Sequence, residues 1–247
     1  MGSARIQIAV SRERRFFVRS LDSDRIELRG DEAHHIIHVL RLVAGARITL
    51  FDGRGRAVRA AIESLTGDSV SVRVMGSEPP RESPFGLALG LAVPKSQRMP
   101  VAVQKLTELG ARRIIPLVTE RGTTTPSQMQ RSLARWRRIV LEASKQSRRS
   151  LLVEVSPPRT LLQALDQAEE TWIVMAQPGA PALEVKPTAD AVLALIGPEG
   201  GWSETELTLA RKRSVVLYGL GPRTLRTETA AITTAAILQW NRGDLRY

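Results

Sequence analysis

VLALIGPEGGWSETEL (192–207) and, shortly after it, VVLYGLGPRTLRTETAA (215–231) set the fold class of this chain. Each opens with an unbroken apolar run, too continuous for a strand with one wet face. Each run then breaks into glycine and proline and enters a helix. In the first, Ser203 and Glu206 stand at the spacing of a capping box and start a helix over 204–213. In the second, a helix is expected over 228–241. Continuous apolar strands that alternate with helices form parallel sheets covered on both faces.

The same alternation extends upstream. WIVMA (172–176), LLVEVS (151–156), RIIPLVT (113–119) and LALGLAV (87–93) read as strands. Between them lie helices at 160–170, 130–149 and 99–111. The helix 99–111 offers Val101, Val103, Leu106 and Leu109 as its apolar positions, with Gly110 as its stop. The helix 130–149 lines up Leu133, Trp136, Val140 and Ala143 on one face. Arg135, Arg138, Glu142, Lys145 and Arg149 line another.

The first eighty residues differ. FFVRSL (16–21) and RIELRG (25–30) alternate around a polar turn at Asp22–Asp24. ARITLFDG (46–53) and RAVRAAIES (56–64) flank the hairpin signal Gly53-Arg54-Gly55, and SVSVRVM (69–75) follows. One helix, DEAHHIIHVLRL (31–42), lies among them, with acids in its first turn and Arg41 near its end. Short strands with closely spaced turns suggest a small barrel. GSEPPRESPFG (76–86) is the best boundary, giving domains 1–80 and 81–247.

The chain has 247 residues and a net charge of +11, and 43% of it is hydrophobic, enough for a real core. It has no cysteine, which removes disulfides, thiolate metal sites and a thiolate nucleophile. No apolar run approaches the ~20 residues that span a bilayer. The run IQIAV (6–10) is too short for a signal-peptide core, so a soluble, cytoplasmic protein without a membrane partner is expected.

The charge is localised. Residues 1–82 carry +3, 83–150 carry +10 and 151–247 carry −2. A solubility bias would not leave the last hundred residues slightly acidic, so the middle segment reads as a polyanion-binding surface. Lys95, Arg98 and Arg121 flank its strands and are the first candidates for phosphate contacts, followed by Arg135, Arg137 and Arg138. Arg14, Arg15 and Arg41 would supplement them. His34 and His38 share a helical face, but a third ligand and an HExxH glutamate are missing, and no metal is expected.

The two glycine loops, with the turn Ala176-Gln177-Pro178-Gly179, would bring backbone close to a ligand at the carboxyl ends of parallel strands. No Gly-Lys-Ser/Thr follows either loop. Thr224 stands where a Rossmann fingerprint has its third glycine.

GPEGGWSETEL (197–207) and GLGPRTLRTETAA (219–231) closely resemble the paired C-terminal motifs of the SPOUT methyltransferases. More narrowly, the chain is similar to the RsmE-type 16S ribosomal RNA uridine N3-methyltransferases. RRFFV (14–18), HHIIHVLRL (34–42), LFDGRG (50–55), PKSQRMPVAVQKLTELGARRIIPLVTERG (94–122) and EASKQSRR (142–149) extend the likeness through most of the chain. Lys145, Arg148 and Gly122 depart from residues frequent in the family.

The resemblance implies a C-terminal SPOUT domain tied in a trefoil knot and a PUA-like N-terminal barrel that binds RNA. It implies a homodimer whose active site forms between subunits, S-adenosylmethionine as cofactor, and 16S rRNA of the small ribosomal subunit as substrate. Ala176, Gly197, Pro198, Glu199, Gly200, Leu220, Gly221 and Leu225 would hold the cofactor, mostly through backbone groups. All three histidines lie in the other domain, so carboxylates and arginines at the glycine loops are left to act on the uracil imide. Arg226 is expected to stabilise charge on a uracil carbonyl, with Glu228 accepting the proton or orienting Arg226. The alternatives are a SPOUT enzyme with another RNA target and a non-catalytic RNA-binding or ribosome-assembly protein.

Overall fold

A computed structural model describes residues 14–94, 98–186 and 188–246. The chain divides into two compact units, Met1–Pro80 and Arg81–Tyr247.

The first unit is built on β1 (Arg15–Phe17), β2 (Arg25–Leu28), β3 (Arg47–Phe51), β4 (Ala57–Thr66) and β5 (Ser69–Glu78). Their order is β1-β3-β4-β5-β2. β1 runs parallel to β3, and the other pairs are antiparallel. The runs on either side of Asp22–Asp24 therefore do not pair with each other but take opposite ends of the order. Long-range register wins over the nearby turn: Phe16 pairs with Leu50, and Ile26 with Val72.

The helix expected over 31–42 is shorter. α1 (Gly30–His34) widens into a π turn at His35–Val39, and Arg41, with φ at 49°, ends it in the left-handed region. Ala33 and Ile36 reach a core of Phe16, Ile48, Leu50, Ile62, Val70 and Val72.

The second unit alternates β6 (Gly86–Ala92), α2 (Arg98–Glu108), β7 (Arg113–Val118), α3 (Pro126–Ser147), β8 (Glu154–Val155), β9 (Arg159–Thr160), α4 (Leu161–Asp166), β10 (Trp172–Ala176), β11 (Ala191–Ile196), α5 (Glu204–Lys212), β12 (Val216–Tyr218) and α6 (Thr227–Arg242). The sheet runs β12-β10-β11-β6-β7-β8, with β9 also on β7, and every pairing is parallel. All of β6 is buried, as the apolar run required. Leu87, Leu89 and Leu91 point to the face covered by α2, α3 and α6, where they meet Met99, Leu106, Trp136 and Leu238. The opposite face packs Ile115, Leu117, Leu193 and Leu195 against Leu161 of α4 and Leu207 of α5. Burying one such leucine contributes roughly 1.5–3 kcal/mol.

Three helices differ from their sequence pattern. α3 begins at Pro126, four residues earlier than expected, because Thr125 and Gln128 form a capping box around a proline in the first turn. α4 is confined to six residues. On α2, Val101 is 46% exposed, and Met99 and Ala102 join Val103 and Leu106 in the core. The strand expected at 151–156 shrinks to two residues because Glu82 takes the backbone N–H groups of Ser150 and Leu151. Arg149, expected on a wet helix face, is buried. Its guanidinium pairs with Glu82 at 2.9 Å and donates to the carbonyls of Thr107 and Ala111. Each buried charge thus has a partner.

After β12 the chain passes close behind the loop that follows β10. The Gly219 N–H donates to the Pro181 carbonyl at 2.6 Å, and Gly219 bridges to Ala182. A Cβ at 219 would lie 2.3 Å from the Ala180 carbonyl oxygen, so only glycine fits. Here the chain leaving β12 crosses the loop that follows β10, as the resemblance to the trefoil-knotted SPOUT methyltransferases implies. Beyond it α6 returns across the sheet to pack on β6, β11 and α2.

Candidate active site

Three strands end side by side, β12, β10 and β11, and the turns leaving them line one cavity. The first turn contributes Ala176, Gln177 and Pro178, the second Gly197, Pro198, Glu199 and Trp202, and the third Leu220, Gly221, Thr224 and Leu225. Ligands in open parallel sheets sit in this position, beyond the carboxyl ends of the strands.

Hydrogen bonds stitch the turns together. Trp202 is buried, and its Nε1 donates to the Ala176 carbonyl at 3.0 Å. Thr227 Oγ1, at the start of α6, donates to the Gly197 carbonyl at 3.0 Å. The Gln177 N–H donates to the Tyr218 carbonyl at 2.8 Å. Glu206 closes the far side of the second loop. One of its oxygens accepts from the Ser203 N–H at 2.9 Å and the other from the Glu120 N–H at 3.1 Å. The expected capping box is therefore present, and it also ties the end of β7 to the loop. These bonds fix the cavity's shape without a ligand.

The cavity suits a ligand with apolar faces and a few donors. Ile196, Trp202, Tyr218, Leu220 and Leu225 give it apolar walls. Gln177 Oε1 is buried and lacks a hydrogen-bond partner among the described residues, which leaves one acceptor for a ligand's N–H or O–H. A Cβ at position 197 would sit 3.0 Å from the Trp202 ring, so the glycine lets indole and loop backbone close up. Burial pushes the Tyr218 phenol up, its bond to Thr234 only partly opposing this, so Tyr218 is a neutral wall rather than a base.

A second cavity adjoins the first and shares Pro198 and Glu199 with it. Val93, Arg98, Arg121, Thr123 and Gly200 complete its lining. Here Arg98 Nη1 lies 3.2 Å from Glu199 Oε1, and Arg98 Nε lies 3.7 Å from Glu228 Oε1. Arg121 Nη1 donates to the Gly200 carbonyl at 3.0 Å.

Seven of the eight expected cofactor residues line the first cavity: Ala176, Gly197, Pro198, Glu199, Leu220, Gly221 and Leu225. Gly200 lines only the second. The two expected catalytic residues part company. Glu228 is largely buried beside Arg98, whereas Arg226 is the exposed N-cap of α6 and lines neither cavity.

The expected RNA contacts divide as well. Arg14, Arg41 and Arg138 are exposed. Arg137 is exposed but donates to the Val155 carbonyl at 3.1 Å. Lys95 lies outside the described residues. Arg98 and Arg121 are held by the glycine loop as above. Arg15 is a correction: it is 7% exposed, pairs with Glu78 at 3.1 Å and stacks over Phe51, so it holds the first unit together and is not open to a phosphate. The His34 and His38 rings lie against each other, 4.7 Å apart and tilted by 42°. Sequence reasoning missed Gln177, Trp202 and Thr227 as site residues. The signal for Gln177 was present, a polar side chain directly after a buried strand.

Comparison with known proteins gives the family. The RNA methyltransferase domain family matches residues 81–239, and the RNA methyltransferase PUA domain matches 28–75. The ribosomal RNA small subunit methyltransferase E of Synechocystis sp. is 35% identical over 219 residues, spanning 85% of this chain and 70% of that protein. Its counterpart in Bacillus subtilis is 29% identical over 231 residues, 88% and 90% of the two chains. A methyltransferase from Legionella pneumophila, solved with the bound cofactor S-adenosylmethionine, superposes with a TM-score of 0.85 at 34% identity, covering 94% of this chain and 99% of that one. The ribosomal RNA small subunit methyltransferase E of Neisseria gonorrhoeae, solved bound to S-adenosylmethionine, gives 0.87 at 30% identity with the same coverage. The chain belongs to the RNA methyltransferase family represented by ribosomal RNA small subunit methyltransferase E.

Proposed function

We propose that the protein is an S-adenosylmethionine-dependent methyltransferase that modifies N3 of a uridine in the 16S rRNA of the small ribosomal subunit. The three-turn cavity carries this reading. It is preformed and largely apolar, has one orphaned acceptor, and occurs in a chain whose near full-length structural relatives hold S-adenosylmethionine.

Ala176, Gln177, Gly197, Leu220, Gly221 and Leu225 would hold that cofactor, with Pro198 and Glu199 on the side shared with the second cavity. When bound, it supplies an electrophilic methyl group on a sulfonium. The chain's own contribution is to exclude water with Leu220, Leu225 and Trp202 and to present the target base beside Pro198 and Glu199. Glu228 belongs to the catalytic arrangement through its pairing with Arg98. The position of Arg226 lends no support to a role at the reacting atoms.

The exposed arginines, Arg14 and Arg41 in the first unit and Arg138 in the second, would meet phosphates. A cytoplasmic homodimer completes the reading. Val101 and Trp240 support it, lying 46% and 53% exposed on α2 and α6, two helices that pack against each other. Among the described residues no helix is long and apolar enough to cross a membrane.

The test is transfer of label from methyl-labelled S-adenosylmethionine to small ribosomal subunits taken from cells without the endogenous enzyme. Label in the rRNA supports the proposal. Cofactor binding with no label in subunits, free rRNA or tRNA would favour a binding protein instead.

A further inference from the structure

We infer that Arg98 is the catalytic cation of this site and that Glu228 works through it as a positioning residue. The inference rests on the uridine reading above.

A uracil imide holds its N3 proton near neutral pH, and methylation at N3 needs the in-plane lone pair that its loss exposes. The charge then lies on the two flanking carbonyl oxygens, so a fixed donor beside one of them lowers the barrier. In the balanced step the N3 proton leaves to water and the N3 lone pair forms the bond to the methyl carbon. The electron pair of the broken carbon–sulfur bond stays on sulfur. Arg98 is unchanged throughout.

Four arginines compete for the role. Arg223 is exposed and lines only the first cavity, not the second one where Pro198 and Glu199 meet a base. Arg226 lines neither cavity. Arg121 is committed to the Gly200 carbonyl. Arg98 lines the second cavity next to Pro198 and Glu199, the two residues that face both cavities, and so stands where a base meets the cofactor.

Its two partners differ. Glu228 is 13% exposed, and Glu199 is 44% exposed. An exposed ion pair is weak and exchangeable. A substrate carbonyl can therefore replace Glu199 on Nη1 while Glu228 keeps its place beside Nε. Glu228 lines neither cavity, which argues against direct proton abstraction. Its Oε2 is buried and lacks a partner among the described residues, so its charge is left to act on Arg98.

The experiment is single-turnover methylation of small subunits by Arg98→Ala, Arg98→Lys, Glu228→Gln and the Arg98→Ala/Glu228→Gln double variant. Cofactor affinity by calorimetry and subunit binding by cosedimentation accompany it. Arg98→Ala is expected to slow transfer by roughly 100-fold or more while both affinities stay within about threefold, and Arg98→Lys to recover about tenfold of the loss. Glu228→Gln should add little in the Arg98→Ala background. Subunits from cells grown with 5-fluorouracil carry a more acidic imide, and on them the Arg98→Ala deficit should narrow.

An Arg98→Ala variant that transfers at the normal rate but binds subunits weakly would make Arg98 a phosphate contact and overturn the inference. Equal losses from Glu228→Gln with and without Arg98 would make Glu228 an independent base. Loss of cofactor binding in both Arg98 variants would make the role structural. If the wild-type protein itself transfers no methyl group, the uridine reading falls first.

Discussion

The indole nitrogen of Trp202 donates to the carbonyl of Ala176 at 3.0 Å, joining two of the three turns that line the first cavity. Phenylalanine would keep the buried bulk and lose the bond. An unpaired buried carbonyl costs about 1–3 kcal/mol, and part of that falls on the shape of the empty cavity. Trp202→Phe is expected to weaken S-adenosylmethionine binding about tenfold in a calorimetric titration. Unchanged affinity would show that the turns hold their positions without this bond.

Gly219 sits where the chain leaving β12 crosses the loop that follows β10, and the obstacle to a side chain there is the Ala180 carbonyl itself. Backbone cannot move aside as a flexible side chain would. Gly219→Ala is expected to destabilise the second unit by about 3 kcal/mol. All four tryptophans, Trp136, Trp172, Trp202 and Trp240, lie in that unit. Urea unfolding followed by tryptophan fluorescence therefore reads the effect there alone.

Acid should act first on the other unit. Burial pushes the Asp52 carboxyl up, but Arg56 and the backbone N–H groups of Arg54 and Arg56 outweigh it and hold the group below the usual carboxylate value. A carboxylate lowered by folding contributes stability above its unfolded value near ~3.9. That stability is lost as pH falls through the lower folded value. The first unit should lose stability below about pH 4, and Asp52→Asn should flatten that limb in circular dichroism melts.

Salt separates surface arginines from structural ones. RNA affinity should fall steeply with salt, and removing one phosphate contact lowers the log–log slope by roughly 0.7–0.9. Arg138→Ala is expected to show that decrement in filter binding to rRNA. Arg15→Ala is expected to keep the slope and lower the melting temperature, because its charge is spent on Glu78.

Much of this was legible in the residues. The strands at 87–93, 113–119, 172–176 and 192–197 announced themselves because a parallel sheet between two helical layers needs unbroken apolar runs. Ser203 and Glu206 marked a helix start, since capping is local chemistry. Pairing at long range was not legible. Nothing near Asp22 says that Phe16 will lie beside Leu50 and Ile26 beside Val72.

Nor does an arginine's letter reveal its partner. Arg15, Arg98, Arg121 and Arg149 look alike in sequence. In the fold one stacks on Phe51, one faces two glutamates, one holds a glycine carbonyl, and one is buried against Glu82. Local charge density located the basic segment but did not tell which of its members face the RNA.

The identity of the methylated nucleoside decides whether this protein acts on uridine N3. Small subunits lacking the modification are incubated with the protein and methyl-labelled S-adenosylmethionine, and the rRNA is digested and resolved by mass spectrometry. Label is expected in N3-methyluridine alone. Label in a ribose-methylated nucleoside or a methylated guanosine, with none in N3-methyluridine, would contradict the uridine reading.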